Sequence, residues 1–256
     1  MKYFTKNWYN KMQCIDVHKL LKVNYRAEEF SEEFYQEVYE KEKKKYIEFQ
    51  LEVAKKLKKI YWLNFFKYLI QGNLKQIKEE IMDENEIEES FDYKLKNNME
   101  NLKSKLPSRI LNKVSDIRVL ALDYASREVY DLIKEYCEDN KRYVDKKINE
   151  YSKLQEKQFK NKSLEFKEES FHDSLISEIR KENNNLTIKL KNKHGFTDKS
   201  KVIFVNYNII LDEGINKSWW LYDEIYVKED KYEVHILTSG AKFKELIIEC
   251  DDILVK

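Results

Sequence analysis

The chain changes its grammar near Asn183, and that change constrains the fold more than any other feature. Before it, Gly72 and Pro107 are the only breakers, and apolar residues recur at the three- and four-residue steps of helices. After it, Gly195, Gly214 and Gly240 punctuate stretches in which apolar and polar residues alternate, as in half-buried strands. Helices followed by strands, rather than interleaved with them, predict an α+β protein: an N-terminal helical bundle, then a C-terminal antiparallel β-meander of about six strands. Alternation already begins at Ser174, so the boundary belongs in the polar connector Lys160 to Glu169. This gives a helical bundle over 1–162 and an antiparallel β domain packed on it over 163–256.

Thr5 is placed to cap a first helix carrying Trp8, Met12, Ile15 and Leu20 on its apolar side. Ser31 with Glu32 and Glu33 opens a second, because acids suit the positive end of the helix dipole; its face runs Phe34, Val38, Tyr46, Phe49, Val53, Leu57 and Ile60. The run Ile60 to Ile70 is apolar on nearly all sides and reads as a buried centre, ended by Gly72 and Asn73; residues 74–106 read as one or two short polar helices. Ser115 and Asp116 start the clearest helix, with Ile117, Leu120, Ala121, Tyr124, Val129 and Ile133 on one face and a continuation to Leu154.

Strands are expected near 174–180, 186–191, 201–211, 219–228, 232–238 and 244–255. Alternation puts Ile203, Val205, Tyr207, Ile209 and Leu211 on the buried face of the third, and Trp219, Leu221, Ile225 and Val227 on that of the fourth, so that Trp220 points outward. In the last strand Leu246, Ile248 and Cys250 fall on one parity and Ile253 and Val255 on the other, which predicts a bulge at Asp251 and Asp252.

Charge narrows the function classes. The chain has 48 basic and 47 acidic residues in 256, and from Asn184 onward 11 Lys face 12 Asp and Glu, so neither half is basic. Nucleic-acid binding draws most of its affinity from neutralised phosphates and ranks last here; only six of the basic residues are Arg. The opening residues contain no apolar stretch of signal-peptide length, and Ile60 to Ile70 is too short to span a bilayer, so a cytoplasmic protein is expected. Cys14, Cys137 and Cys250 are odd in number and far apart, which fits a reducing compartment. No phosphate loop, nucleotide fingerprint, metal-ligand spacing or nucleophile motif is present, and no cofactor is expected.

The opening Met1-Lys2-Tyr3-Phe4-Thr5-Lys6, the central Leu106-Pro107 with Ser115-Asp116-Ile117-Arg118-Val119-Leu120-Ala121-Leu122, and the closing Trp220-Leu221-Tyr222-Asp223-Glu224-Ile225 with Tyr232-Glu233-Val234-His235 carry a resemblance. Together they resemble an uncharacterised family from clostridia and bacilli, catalogued as a domain of unknown function. The resemblance covers nearly the whole chain. It implies a bacterial cytoplasmic protein whose halves form one evolutionary unit, and it brings no activity, ligand or catalytic residue.

If Glu229-Asp230 forms a two-residue turn, Tyr226 faces Glu233, Glu224 faces His235 and Tyr222 faces Leu237. Glu224, His235 and Glu249 then share the face opposite the core. They are the catalytic candidates, as one imidazole and two carboxylates for a metal or a general base. The simpler reading, a solvated ion-pair ladder, is preferred. His172-Asp173 reads as a turn, with Asp173 bonding nearby amides, and His18 and His194 as structural or solvated. Trp220, Tyr222 and Tyr226 on the outer face form the candidate binding surface for a protein partner, unless helices pack there too. The leading reading is a non-enzymatic, regulatory or immunity-type protein-binding module; the alternative is a metal-assisted hydrolase using the Glu/His/Glu cluster.

Overall fold

A computed structural model describes residues 1–70, 84–160, 164–192 and 196–256. The helices are α1 (Lys6–Met12), α2 (Glu32–Ile70), α3 (Glu84–Lys105), α4 (Ser108–Leu111), α5 (Ile117–Ala121), α6 (Arg127–Gln158) and α7 (Glu165–Glu168). The strands are β1 (Lys22–Val23), β2 (Tyr124–Ala125), β3 (Ser174–Glu182), β4 (Asn185–Lys191), β5 (Lys201–Val205), β6 (Asn208–Asp212), β7 (Trp219–Lys228), β8 (Lys231–Ser239), β9 (Lys244–Cys250) and β10 (Asp252–Val255). The order is that of an α+β protein. The expected helix stop at Gly72 and Asn73, residues 74–83, the side chains of Ile60 to Ile70, and His194 with Gly195 lie outside the described residues. Among the described residues no helix is long and apolar enough to cross a membrane.

The chain divides into two compact units, and the division cuts elsewhere than at residue 162. Met1–Ile15 joins Glu138–Lys256 in one unit, and Asp16–Cys137 forms the other.

In the first unit the eight strands lie in the order β10-β5-β4-β3-β7-β8-β9-β6, all antiparallel. Only Asn206 and Tyr207 separate β5 from β6, and only Asp251 separates β9 from β10. The two ends of the row, β10 with β5 and β9 with β6, are therefore halves of one bent ladder, and the sheet closes on itself. Counted this way there are six strands, as expected, with the third and sixth each bent once. Sequential pairing holds within β3-β4-β5 and within β7-β8-β9. The two trios are then joined edge to edge, because β7 returns to pair with β3 at Ser174↔Trp220 and Leu175↔Trp219.

The interior is filled by Ile176, Leu186, Ile188, Val202, Phe204, Trp220, Ile225, Val234, Ile236, Leu246 and Ile248, with Phe166 and Phe171. Cys250, Ile253 and Val255 join the same cluster, so the parity reversal expected near Asp251 is present, as a strand break. Two expectations reverse. Val202 and Phe204, not Ile203 and Val205, face inward: every residue from Val202 to Val205 is apolar, so alternation had nothing to choose between. Asn206, at φ 49°, then turns the strand so that Tyr207 and Ile209 reach the cluster. In β7 the register passes from Trp220↔Thr238 to Tyr222↔Leu237, which leaves Leu221 as a bulge. Trp220 is consequently 0% exposed and Trp219 38%, the opposite of the expected pair.

Beyond its two pairs with β3, β7 would present bare backbone. α6 closes that gap with side chains: the Tyr151 hydroxyl accepts from Ile225 N–H at 2.8 Å, Gln155 Nε2 donates to the Ile225 carbonyl at 2.8 Å, and Gln158 Oε1 accepts from Val227 N–H at 3.3 Å.

The second unit has two apolar clusters. One joins Phe34 and Val38 of α2, Phe91 and Leu95 of α3, and Val119 and Ala121 of α5; the other joins Leu106, Ile110 and Leu120 to Val129, Ile133 and Cys137 of α6. Ser31 Oγ caps α2 and the Asp116 carboxylate caps α5, as their positions predict. The long helix expected from Asp116 onward is broken. Asp123 stands at φ 68°, Tyr124 and Ala125 pair in parallel with Lys22 and Val23, and Ser126 Oγ then caps α6. The first helix is also shorter than expected; α1 ends at Met12 and Leu20 is 71% exposed.

Trp220→Ala is expected to cost about 3–5 kcal/mol in urea unfolding, as for a large side chain removed from a packed interior, and Trp219→Ala less than about 1 kcal/mol.

Candidate functional site

The hairpin of β7 and β8 has the expected register: Glu224↔His235, Tyr226↔Glu233 and Tyr222↔Leu237, around Glu229 at φ 53°. The face that carries these residues is covered. Residues 1–15 and the second half of α6, which belong to the same compact unit, pack on it through rings: Trp8 on Tyr222 at 4.9 Å, Phe4 on Tyr222 at 5.7 Å and on Tyr151 at 4.9 Å. Trp220 lies inside the sheet, Tyr226 is buried, and Tyr222 is half-buried with its hydroxyl on Met12 Sδ at 3.2 Å. The three aromatics named as a binding surface therefore do not form an open one. The alternative foreseen for this face, helices packed on it, describes it.

Glu224 is fully buried, and both its oxygens are spent. Oε1 accepts from the backbone N–H of Tyr3 at 2.7 Å and of Phe4 at 2.6 Å; Oε2 accepts from Lys2 N–H at 2.7 Å and from the Tyr226 hydroxyl. The Tyr226 phenol is pushed up by burial and further by that carboxylate. Four donors offset the desolvation of a buried charge, so Glu224 is a clamp for the opening segment rather than a free acid or base.

His235 is also buried, with Nε2 at 2.8 Å from Glu233 Oε1. Burial outweighs the carboxylate and lowers the imidazole pKa. Burial raises Glu233, but hydrogen bonds from Lys228 and His235 outweigh it and hold this acid below its ordinary range. The pair is thus a neutral imidazole donating Nε2–H to a carboxylate. Its Nδ1 has no partner among the described residues. Glu249 sits one strand away, opposite Glu233 and paired with Lys231 at 3.2 Å. Among the described residues no group of three His, Cys, Asp or Glu side chains converges as metal ligands. Glu224, His235 and Glu249 share a face, yet each already has a different partner. Next to them, Asp223 is pushed up to about 7 by burial, against the hydrogen bond it accepts from Trp220 Nε1 at 3.0 Å.

His172 and Asp173 occupy a turn, as read: Asp173 stands at φ 59° and His172 Nδ1 lies 2.6 Å from the Leu221 carbonyl oxygen. His18 falls in a short 3-10 helix, Val17–Leu20.

A second site, which sequence reasoning missed, lies within the helical unit. A cavity of about 260 Å³ is lined by Glu42, Lys45, Tyr46, Phe49 and Phe91, by Lys94 and Asn98, and by Asp123. Burial raises Glu42, but hydrogen bonds from Lys45, Tyr124 and Lys22 overcome it and bring its pKa to about 2. Asp123 is raised instead, chiefly by burial. Its sequence neighbourhood holds no glycine or proline to mark a break, so periodicity alone runs the helix through it.

Glu224→Ala would orphan three backbone N–H groups at once. It is expected to cost about 3 kcal/mol or more, and to speed amide exchange at residues 2–4 selectively. His235 has a folded pKa below its unfolded 6.5, so its contribution to stability is present above that value and is lost as pH falls below it. Wild type is therefore expected to lose stability relative to His235→Gln between pH 7.5 and 5.5, which paired denaturation curves would measure.

Among known proteins, no curated protein and no solved structure matches the chain. One family model does, described as protein of unknown function (DUF4085), over residues 69–249. That match takes in the later part of the helical unit, from residue 69 onward, and nearly all of the closed sheet, and the chain belongs to the DUF4085 family.

Proposed function

We propose that the protein is a non-enzymatic cytoplasmic module, regulatory or immunity-type, that binds another protein, and that it does so through the helical unit. One observation carries this: four large apolar residues are exposed in a single stretch, Leu20 at 71%, Val23 at 40%, Tyr25 at 77% and Phe30 at 64%. Exposed large apolar residues, two of them aromatic, within eleven positions of sequence supply the kind of side chain that interaction sites use. The neighbouring charges are already matched internally, Lys19 with Asp16, Lys22 with Glu42 and Arg26 with Glu37. A partner is therefore recognised by apolar contact and shape rather than by charge. The engagement of every carboxylate in the Glu224, His235 and Glu249 set supports a binding role over hydrolysis.

The test is affinity capture from the native host with quantitative mass spectrometry, comparing wild type with Tyr25→Ala/Phe30→Ala. The double variant is expected to retain its melting temperature and lose its specific partner at least about tenfold. Equal capture by both proteins would remove this surface from consideration.

A further inference from the structure

We propose that the cavity of the helical unit is a binding site for a free α-amino acid with an apolar side chain, whose ammonium group meets Asp123 and whose carboxylate meets Lys94. This goes beyond the docking reading and can fail or stand without it.

The argument begins with the backbone. Asp123 follows α5 in the left-handed conformation, where helices usually end in glycine or asparagine. A carboxylate there also faces the negative end of the helix dipole, so stability gives no reason for an acid at this position. The backbone holds it firmly nonetheless: its N–H donates to the Leu120 carbonyl at 3.0 Å, and its own carbonyl accepts from Lys22 N–H at 2.7 Å. A rigidly held, unfavoured residue at a cavity wall is the kind of local strain that functional sites retain.

The charges of the cavity then divide into spent and unspent. Glu42 Oε1 takes Lys22 at 3.2 Å, Lys45 at 2.9 Å and the Tyr124 hydroxyl at 2.8 Å, so this network is closed. Among the described residues the Asp123 carboxylate has no hydrogen bond or ion pair and feels Lys22 and Lys94 only through space, while Lys94 has the Tyr46 ring 5.1 Å from its Nζ. Asp123 and Lys94 make no direct ion pair, so one charge of each sign without a hydrogen-bonded partner lines a common space. A bare amine would satisfy Asp123 and leave Lys94 repelling it. A bare carboxylate would meet the reverse problem. A zwitterion satisfies both, and Phe49, Phe91, Leu95 and Leu122 supply an apolar wall for its side chain.

Calorimetric titration of the full chain with L-phenylalanine, phenethylamine, 3-phenylpropionate and glycine tests this. Saturable binding of phenylalanine is expected, with each of the other three at least about tenfold weaker. Asp123→Asn and Lys94→Gln should each lose about tenfold or more while keeping the wild-type circular dichroism; asparagine tolerates the left-handed backbone, so the first variant keeps its fold. No saturable heat with phenylalanine overturns the proposal. So does binding of either half-ligand or of glycine as tight as phenylalanine, or unchanged affinity in both variants.

Discussion

A single extra residue in β7 decides what each face of the hairpin is made of. Without the bulge at Leu221, Trp219 would point into the sheet together with Ile225, and Trp220 would stand outside beside Glu224. With it, Trp220 enters the interior among Phe166 and Phe171, its centroid 4.9 Å from the latter. Tyr222, Glu224 and Tyr226 are left together on the outer face, where the opening residues meet them. The interior packing and the attachment of residues 1–15 both follow from that local change of parity.

Glu224 then sets the make-up of the unit. A fully buried carboxylate is costly unless several donors surround it, and its own strand supplies only the Tyr226 hydroxyl. The other three donors are the backbone N–H groups of Lys2, Tyr3 and Phe4, more than two hundred residues away in sequence, with the other compact unit, Asp16–Cys137, in between. The opening segment is thus part of the β unit in every physical sense except chain order. Its ring contacts with Tyr151 and Tyr222 and the N-cap by Thr5 fix its path, and the carboxylate fixes its register.

Much of this was legible in the sequence. The six strands, the register of the β7–β8 hairpin, the parity break at Asp251 and the caps at Thr5, Ser31 and Asp116 follow from local chemistry: alternation, a two-residue turn, and side-chain oxygens before apolar runs. What was not legible depends on distant partners. Closure of the sheet requires β7 to pair with β3 across forty-odd residues, and alternation carries no such information. The bulge at Leu221 was hidden because Trp219-Trp220-Leu221-Tyr222 is apolar or aromatic at every position. The fate of Glu224 was hidden for another reason: an acid facing a histidine across a hairpin looks like a surface pair until something covers it.

The two units differ in how completely their charges are used, and that difference bears on where function resides. In the β unit the outer-face acids are engaged by backbone amides, a tyrosine, lysines or an imidazole, and removing the fully buried Glu224 disturbs the fold itself. In the helical unit the Glu42 network is closed in the same way, yet Asp123 sits beside it with a raised pKa and a left-handed backbone, and contributes nothing evident to stability. Folding alone favours glycine or asparagine at such a position. An acid kept there against that preference, on the wall of a cavity that also holds a lysine without a direct carboxylate partner among the described residues, is a charge that the fold alone does not account for.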